Sequence, residues 1–290
     1  MNILITGING FIGKNIKEKL KDDKRSKYFF GTTSDIEDCV QFQKNYIDIE
    51  EKLPNETIEC VVHLAAVIPN SFTNVEFDDV FLPNALMLDN LYKFSLKKNI
   101  KKFIYMSSFG SMEDYKNYKI KDYYTLSKIY GEHVCSMMEA RNIQTASLRI
   151  PSPYGPYSNL KSVINIFIEN ALKNLDINVY GSGKREQNFI YVEDVIKAIE
   201  LFINTENKIS GVYSIVSEKN TSMLDLAQMI KEICESKSKI IVGKYRDAQE
   251  GFRPEYDYDR VYRENGYKPD YNIYTGLKKY IKWYVNNIWR

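Results

Sequence analysis

"NILITGINGFIG", residues 2–13, joins a short apolar run to glycines at positions 7, 10 and 13. The run "NILIT" (2–6) has the length and composition of a buried strand, and it ends at glycine. Beyond it Ile12, Ile16 and Leu20 fall at four-residue intervals, which is one face of a helix over 10–21. A strand that turns through glycines into a helix brings backbone N–H groups close to an anion, and the helix dipole adds to the attraction. The spacing is G-x-x-G-x-x-G. Set directly behind an apolar strand, it reads as a pyrophosphate cradle formed by Gly7, Gly10, Phe11, Ile12 and Gly13.

The stretches that follow repeat the same rhythm. "YFFGT" (28–32), "CVVHLAA" (60–66), "KFIYMSS" (102–108) and "TASLRI" (145–150) are short apolar runs bounded by polar or turn residues. Between the middle two, Leu86, Leu88, Leu91 and Phe94 recur at helical intervals. Near-continuous apolar strands alternating with helices predict a doubly wound (Rossmann) α/β fold, its parallel sheet covered on both faces. At "PSPYGP" (151–156) the rhythm breaks. A helix over 162–173 is expected next, then two short strands around a glycine turn in "INVYGSGKREQNFIYVEDV". A strand over 211–217 and a helix from Met223, capped by Thr221 or Ser222, follow. The expected organisation is a dinucleotide-binding domain over 1–160, with 188–217 returning to it. Residues 161–187 and 218–290 form a smaller substrate-binding cap.

The bulk numbers narrow the function. Across 290 residues the net charge is +2, which implies no broad nucleic-acid or membrane-binding surface. Four cysteines lie far apart and only two histidines occur, so no metal site is expected. Reduced cysteines, and an N-terminus that runs straight into a strand, predict a cytoplasmic protein. No window holds the roughly 18 uncharged apolar residues of a membrane span.

Other positions fit the remainder of a dinucleotide. Asp48, with its neighbour Ile49 in "YIDIE", is placed for the adenine, and Leu64, Ala65 and Ala66 form a small-residue strand end against which a cofactor can lie. An acidic residue after the second strand would bind the ribose hydroxyls of NAD. Thr33 stands there instead, with Asp35 two residues later. Hydroxyls tolerate a 2′-phosphate, so the choice between NAD and NADP stays open.

For chemistry, "YYTLSKIYGE" (123–132) offers Tyr124 and Lys128, four residues apart. Tyr–Lys pairs at this spacing also occur at 115/119, 157/161, 180/184 and 274/278, so spacing selects nothing. Position does. Tyr124 opens a helix, which sets i and i+4 on one face, and Ser108 closes the preceding strand at the edge where doubly wound folds bind ligands. An ammonium about 5 Å from a phenol, at an effective dielectric near 20, favours the phenolate by roughly 3 kcal/mol, or about two pKa units. Tyr124 would then exchange a proton with a sugar hydroxyl while Ser108 holds that oxygen.

Together "TGINGFIG", "VVHLAA", "FIYMSS", "YYTLSK", "LRIPSPYGP", "GSGKREQNFIYVEDV" and "RPEYDYDRVYRENGYKP" span nearly the whole chain. In that order they resemble the extended short-chain dehydrogenases/reductases of the NAD-dependent epimerase/dehydratase family, enzymes of nucleotide sugars. The resemblance implies a catalytic set of Ser108, Tyr124 and Lys128, with Lys128 also touching the nicotinamide ribose. It implies that Arg253 binds the substrate diphosphate, with Ser152 and Arg185 in the sugar cleft. Family dehydratases follow the catalytic hydroxyl with an Asp-Glu pair; here Phe109 and Gly110 follow Ser108. The family's GDP-fucose-forming epimerase–reductases have cysteine where Phe109 stands. Many family 4-epimerases have Asn in place of Ser152 and Arg in place of Gln187. The expected activity is therefore NAD(P)-dependent epimerisation of a nucleotide-diphosphate sugar through transient oxidation at C4. The alternative is NADPH-dependent reduction of a 4-keto nucleotide sugar, and the distant one a non-catalytic dinucleotide sensor. Family analogy adds a homodimer built on helices near 86–98 and 125–141.

Overall fold

The structure, a computed structural model, describes residues 1–69, 75–110, 122–158 and 161–289. The chain divides into two compact units. One comprises Met1–Ile150, Ile196–Ile215 and Arg260–Tyr267; the other comprises Pro151–Val195, Val216–Asp259 and Lys268–Arg290. The units interleave along the chain more finely than a division at 160, 188 and 217 describes.

The first unit holds a seven-stranded parallel sheet. Its strands are β1 (Asn2–Thr6), β2 (Lys27–Thr32), β3 (Val40–Gln41), β4 (Cys60–His63), β5 (Lys102–Ser108), β6 (Gln144–Ile150) and the edge strand Val212–Ser214. From that edge the order runs β6, β5, β4, β1, β2, β3. Register pairs Ile3 with Cys60, Thr6 with His63, and Ser107 with Arg149. Leu4, Val61, Phe103 and Tyr105 pack into a core with Met87, Leu88, Leu91 and Phe94 of the helix Phe77–Lys98 and with Val134, Cys135 and Met138 of the helix Tyr123–Glu139. Ile3, Ile5, Val62 and Ile104 alternate with these, so they face the other way, and they are just as buried. Burial on both faces is why these strands read as continuous apolar runs rather than alternating ones.

Chain direction across the sheet changes beside β1: β2 and β3 lie to one side of it, β4 to β6 to the other. Such a switch point opens a crevice beyond the carboxyl ends of the strands. Gly7 follows β1 there, Leu64 follows β4, and Ser108 ends β5.

In the second unit the expected pair of strands around a glycine turn is replaced by three, none paired with another. Ile177–Val179 pairs with Ile240–Val242, Glu186–Gln187 with Thr221–Ser222, and Phe189–Tyr191 with Ser152–Tyr154. Strands of two or three residues leave no periodicity from which partners could be chosen. The helix Val163–Leu172 starts within a residue of expectation, and Ser222 caps Met223–Ile233 by accepting from the Asp225 N–H at 3.0 Å. Asp194, in the first turn of the helix Val192–Asn204, uses its buried carboxylate to accept from the backbone of Asp270 and Tyr271. All four cysteines are free thiols. Among the described residues, no helix is long and apolar enough to cross a membrane.

Candidate active site

Each glycine of the cradle has its own physical reason. Gly7 adopts φ +77°, and a Cβ there would lie 2.5 Å from the Ala65 backbone nitrogen. Only glycine lets β1 turn so close to the segment after β4. A Cβ on Gly13 would overlap the Gly7 carbonyl and come within 2.6 Å of the Ile8 Cα, so the helix packs directly on the turn. Gly10 donates to the Gly7 carbonyl at 3.0 Å and sits at the N-cap of the helix Phe11–Leu20. The ladder there begins with Lys14 N–H to the Gly10 carbonyl, so the N–H groups of Phe11, Ile12 and Gly13 precede it.

Asp48 is buried; its Oδ1 accepts from the Gln43 N–H at 2.8 Å, while Oδ2 is buried without a hydrogen-bond partner. Leaving such an oxygen unsatisfied costs about 1–3 kcal/mol, and a ligand donor such as an exocyclic amine would remove the penalty. The cradle and this oxygen together suit a bound dinucleotide. Ile49 points its side chain into the core, and its carbonyl accepts from the Leu53 N–H at 3.2 Å. Thr33 is exposed. Next to it, Ser34 donates its N–H to Thr32 Oγ1 at 3.1 Å and accepts from Asn9 Nδ2 at 3.3 Å. Leu64, Ala65 and Ala66 are half-buried.

The helix bearing Tyr124 and Lys128 starts where it does because Asp122 caps it, accepting from the Thr125 N–H at 2.7 Å and from the Thr125 hydroxyl at 3.0 Å. Glycine is required at position 131 of this helix, where a Cβ would overlap the Tyr105 ring. Ser108 Oγ accepts from the Gly110 N–H at 3.3 Å. A Cβ on Gly110 would lie 3.2 Å from Thr125 Oγ1 and 3.7 Å from Ser108 Oγ, so the strand end and the helix start converge there. Lys128 is buried and donates to the Met106 carbonyl at 2.9 Å. Its ammonium lies 5.6 Å from the centre of the Tyr124 ring and 5.1 Å from that of Tyr105.

Burial decides the protonation of the pair, and it reverses one expectation. The Tyr124 phenol lies above its ordinary value, first through burial and then through the Asp122 carboxylate. Lys128 falls to about 8, because burial outweighs the attraction of Glu132. The computed pull of a solvated ammonium on a phenol does not carry over to a pair that is itself withdrawn from water.

Three residues not singled out in the sequence belong to this region. Asn84, on the helix Phe77–Lys98, accepts from the Val67 N–H at 2.7 Å, donates to the Val67 carbonyl at 3.1 Å, and donates to Ser127 Oγ at 3.1 Å. Ser127 donates in turn to the Tyr124 carbonyl at 2.7 Å. The segment after β4 is thereby tied to the helix of the pair. The signal available was a polar residue on the otherwise apolar face of Val80, Met87 and Leu91. His63 is the third: its Nδ1 shares a 2.7 Å hydrogen bond with Thr6 Oγ1, and burial followed by Lys128 lowers it to about 3.

Of the rival pairs, 115/119 falls outside the described residues, Tyr180 is exposed beside a turn, and Tyr274 donates to Glu232. Tyr157 has φ +65° and packs on Trp283. In the second unit Ser152 accepts a hydrogen bond from Gln187, joining the two positions at which the sequence departs from many 4-epimerases. Arg185 is held by Asp247 at 2.8 Å and by Gln249 at 2.9 Å. Arg253 is exposed, 3.4 Å from Glu186.

A Methanocaldococcus jannaschii protein, whose name proposes it as a UDP-glucose 4-epimerase, is 30% identical over 308 positions, spanning 98% of this chain and 99% of that one. The Thermotoga maritima UDP-glucose 4-epimerase solved with UDP-glucose superposes with a TM-score of 0.84 at 23% identity, covering 99% of this chain and all of that one. The Thermus thermophilus UDP-glucose 4-epimerase complex with NAD gives 0.80 at 19%, with coverage of 99% and 100%. These two likenesses establish the fold. A profile of the NAD dependent epimerase/dehydratase family matches residues 3–215, taking in the cradle, Ser108 and the Tyr124–Lys128 helix, and the chain belongs to that family.

Proposed function

We propose that the protein is a nucleotide-sugar epimerase acting by transient oxidation at C4. The observation that carries this is the grouping of Ser108, Tyr124 and Lys128 at the end of β5, with a buried Phe109 and an exposed Gly110 following Ser108 where dehydratases place their acids. When bound, NAD or NADP supplies a nicotinamide that takes up and returns a hydride. Gly7, Gly10 and the N–H groups of Phe11, Ile12 and Gly13 would hold its pyrophosphate, and Asp48 and the Leu64–Ala66 segment its adenosine end. Ser108 orients the sugar hydroxyl; Tyr124, once its phenol has released its own proton to solvent, takes the hydroxyl proton as the phenolate and later gives it back. Lys128 donates toward the ribose and lowers the cost of the phenolate. The first unit is then the dinucleotide-binding domain, and the second supplies substrate contacts through Ser152, Arg185 and Arg253, the last to the diphosphate.

The second reading, an NADPH-dependent 4-keto reductase, draws on Thr33, Ser34 and Asn9, a set of hydroxyl and amide groups where a ribose-binding carboxylate would stand. Incubation with UDP-, GDP- and dTDP-sugars, followed by NMR of the products, separates the two. Interconversion without cofactor consumption supports the epimerase; stoichiometric consumption supports the reductase. Dinucleotide binding with no turnover of any of these sugars would leave a sensor.

The same reading includes a homodimer. Phe77, Phe81, Tyr123 and Tyr130 form an aromatic ridge along the helices Phe77–Lys98 and Tyr123–Glu139, with ring centres 5.0–5.9 Å apart, and Leu86 and Met137 are exposed on these helices. A second copy packing its own helix pair there would cover this surface.

A further inference from the structure

Glu132 lies one helical turn beyond Lys128 and is bound from two strands at once. Its Oε1 accepts from the Ser107 hydroxyl at 2.5 Å and from Arg149 Nε at 2.8 Å, and its Oε2 accepts from Arg149 Nη2 at 2.7 Å. Ser107 on β5 and Arg149 on β6 are register partners, and Ser107 directly precedes Ser108. The Arg149 and Glu132 side chains are only 15% and 11% exposed. One carboxylate thus ties the helix of Tyr124 and Lys128 to the strand end that carries Ser108. As a plain stabiliser this is an inefficient choice, since well-packed apolar groups hold a helix to a sheet as well as a buried ion pair does. A bidentate guanidinium–carboxylate contact fixes direction and register, which apolar packing does not.

We propose that Glu132 is a positioning residue of the active site, holding Lys128 and Ser108 in a common register through Arg149 and Ser107; this rests on the reading of Ser108, Tyr124 and Lys128 as the catalytic set. A second consequence is electrostatic. Glu132 is the charge that opposes the burial of Lys128. Among the described residues, the other titratable groups facing Lys128 are Tyr124 on its own helix, Tyr105 from β5 and His63 from β4. Burial raises both phenols and lowers the imidazole to about 3, so none of these three changes charge between about pH 5 and 9. In that window the alkaline limb of turnover follows Lys128, which is charged below its pKa and neutral above it.

The test compares wild type with Glu132→Gln and Glu132→Asp in two measurements. One is the pH profile of sugar turnover. The other is the Lys128 titration in the cofactor-free protein, followed by NMR of labelled lysine and assigned with Lys128→Met. In Glu132→Gln the Lys128 titration and the alkaline limb both move about one unit or more toward acid. Turnover near pH 8 falls about tenfold, and Glu132→Asp recovers part of it. If Glu132→Gln does not fold, Glu132→Gln/Arg149→Met leaves no charge buried alone, and it should lower turnover likewise and move the Lys128 titration in the same direction by less, since a charge of each sign is removed. An unmoved titration, or a loss of turnover with no shift and no recovery in Glu132→Asp, overturns the proposal. Full turnover in Tyr124→Phe and Lys128→Met overturns instead the assignment of the catalytic set beneath it.

Discussion

At the scale of single residues, withdrawal from water is the dominant force on the site. It raises the Tyr124 phenol and draws Lys128 down to about 8, so at neutral pH the resting pair is a protonated phenol beside an ammonium. Proton exchange with a sugar hydroxyl therefore depends on Tyr124 itself, and Tyr124→Phe should lower turnover by about 10²- to 10⁴-fold. Dinucleotide affinity, measured by titration of the purified variant, should stay within a few-fold of wild type; an active variant would remove Tyr124 from the mechanism. His63 gives a stability prediction. Its folded pKa of about 3 lies below the ordinary value of 6.5, so the unfolded chain takes up a proton that the folded chain refuses. The contribution is neutral above about pH 6.5, and stability is lost as pH falls from there toward 3, by roughly 1.4 kcal/mol per unit. Urea unfolding at pH 7, 6 and 5 should show that slope, and His63→Asn should flatten it. An identical slope in the variant would assign the proton uptake to other groups.

At the scale of elements, the turn from β1 into its helix is a three-way contact among the turn, the helix and the segment after β4. Gly13→Ala pushes a methyl group into the Gly7 carbonyl, and Gly7→Ala adds a positive φ to a clash with Ala65. Each should lower stability by about 1–3 kcal/mol, read from thermal or urea unfolding. Each should also weaken dinucleotide binding at least tenfold, because the N–H groups of the first turn shift with the loop. Wild-type affinity in both variants would place the pyrophosphate elsewhere. This cradle was fully legible in the sequence: the strand, the glycines and the helix are contiguous, and each is specified by local rules. Asn84 was not, because its partners Val67 and Ser127 lie 17 and 43 residues away.

At the scale of the molecule, the aromatic ridge of Phe77, Phe81, Tyr123 and Tyr130 is the surface on which the proposed homodimer depends. Phe77 is 41% exposed, so replacing it costs little within one chain. Phe77→Glu should shift the mass found by light scattering from dimer toward monomer while the thermal unfolding of the subunit is little changed. A monomeric wild type, or a variant dimer as tight as the wild type, would rule this surface out. Saturation with the cognate dinucleotide at about 100 times its Kd should stabilise the chain by roughly 2.7 kcal/mol, and the non-cognate one by less. That difference in unfolding decides between NAD and NADP without any turnover assay.

Local order and periodicity carried the parallel sheet, the glycine turn and the helix that begins at Tyr123, since a strand, a turn or a helix face is written in neighbouring residues. The interleaving of the units, the pairing of two- and three-residue strands, and the Asn84 and Glu132 contacts were decided only in three dimensions, because each joins residues that no local rule relates. The protonation of Tyr124 and Lys128 belongs to the same class. Their spacing is in the sequence, but the loss of water around them is a property of the packed fold, and it outweighs the attraction that the spacing alone suggests.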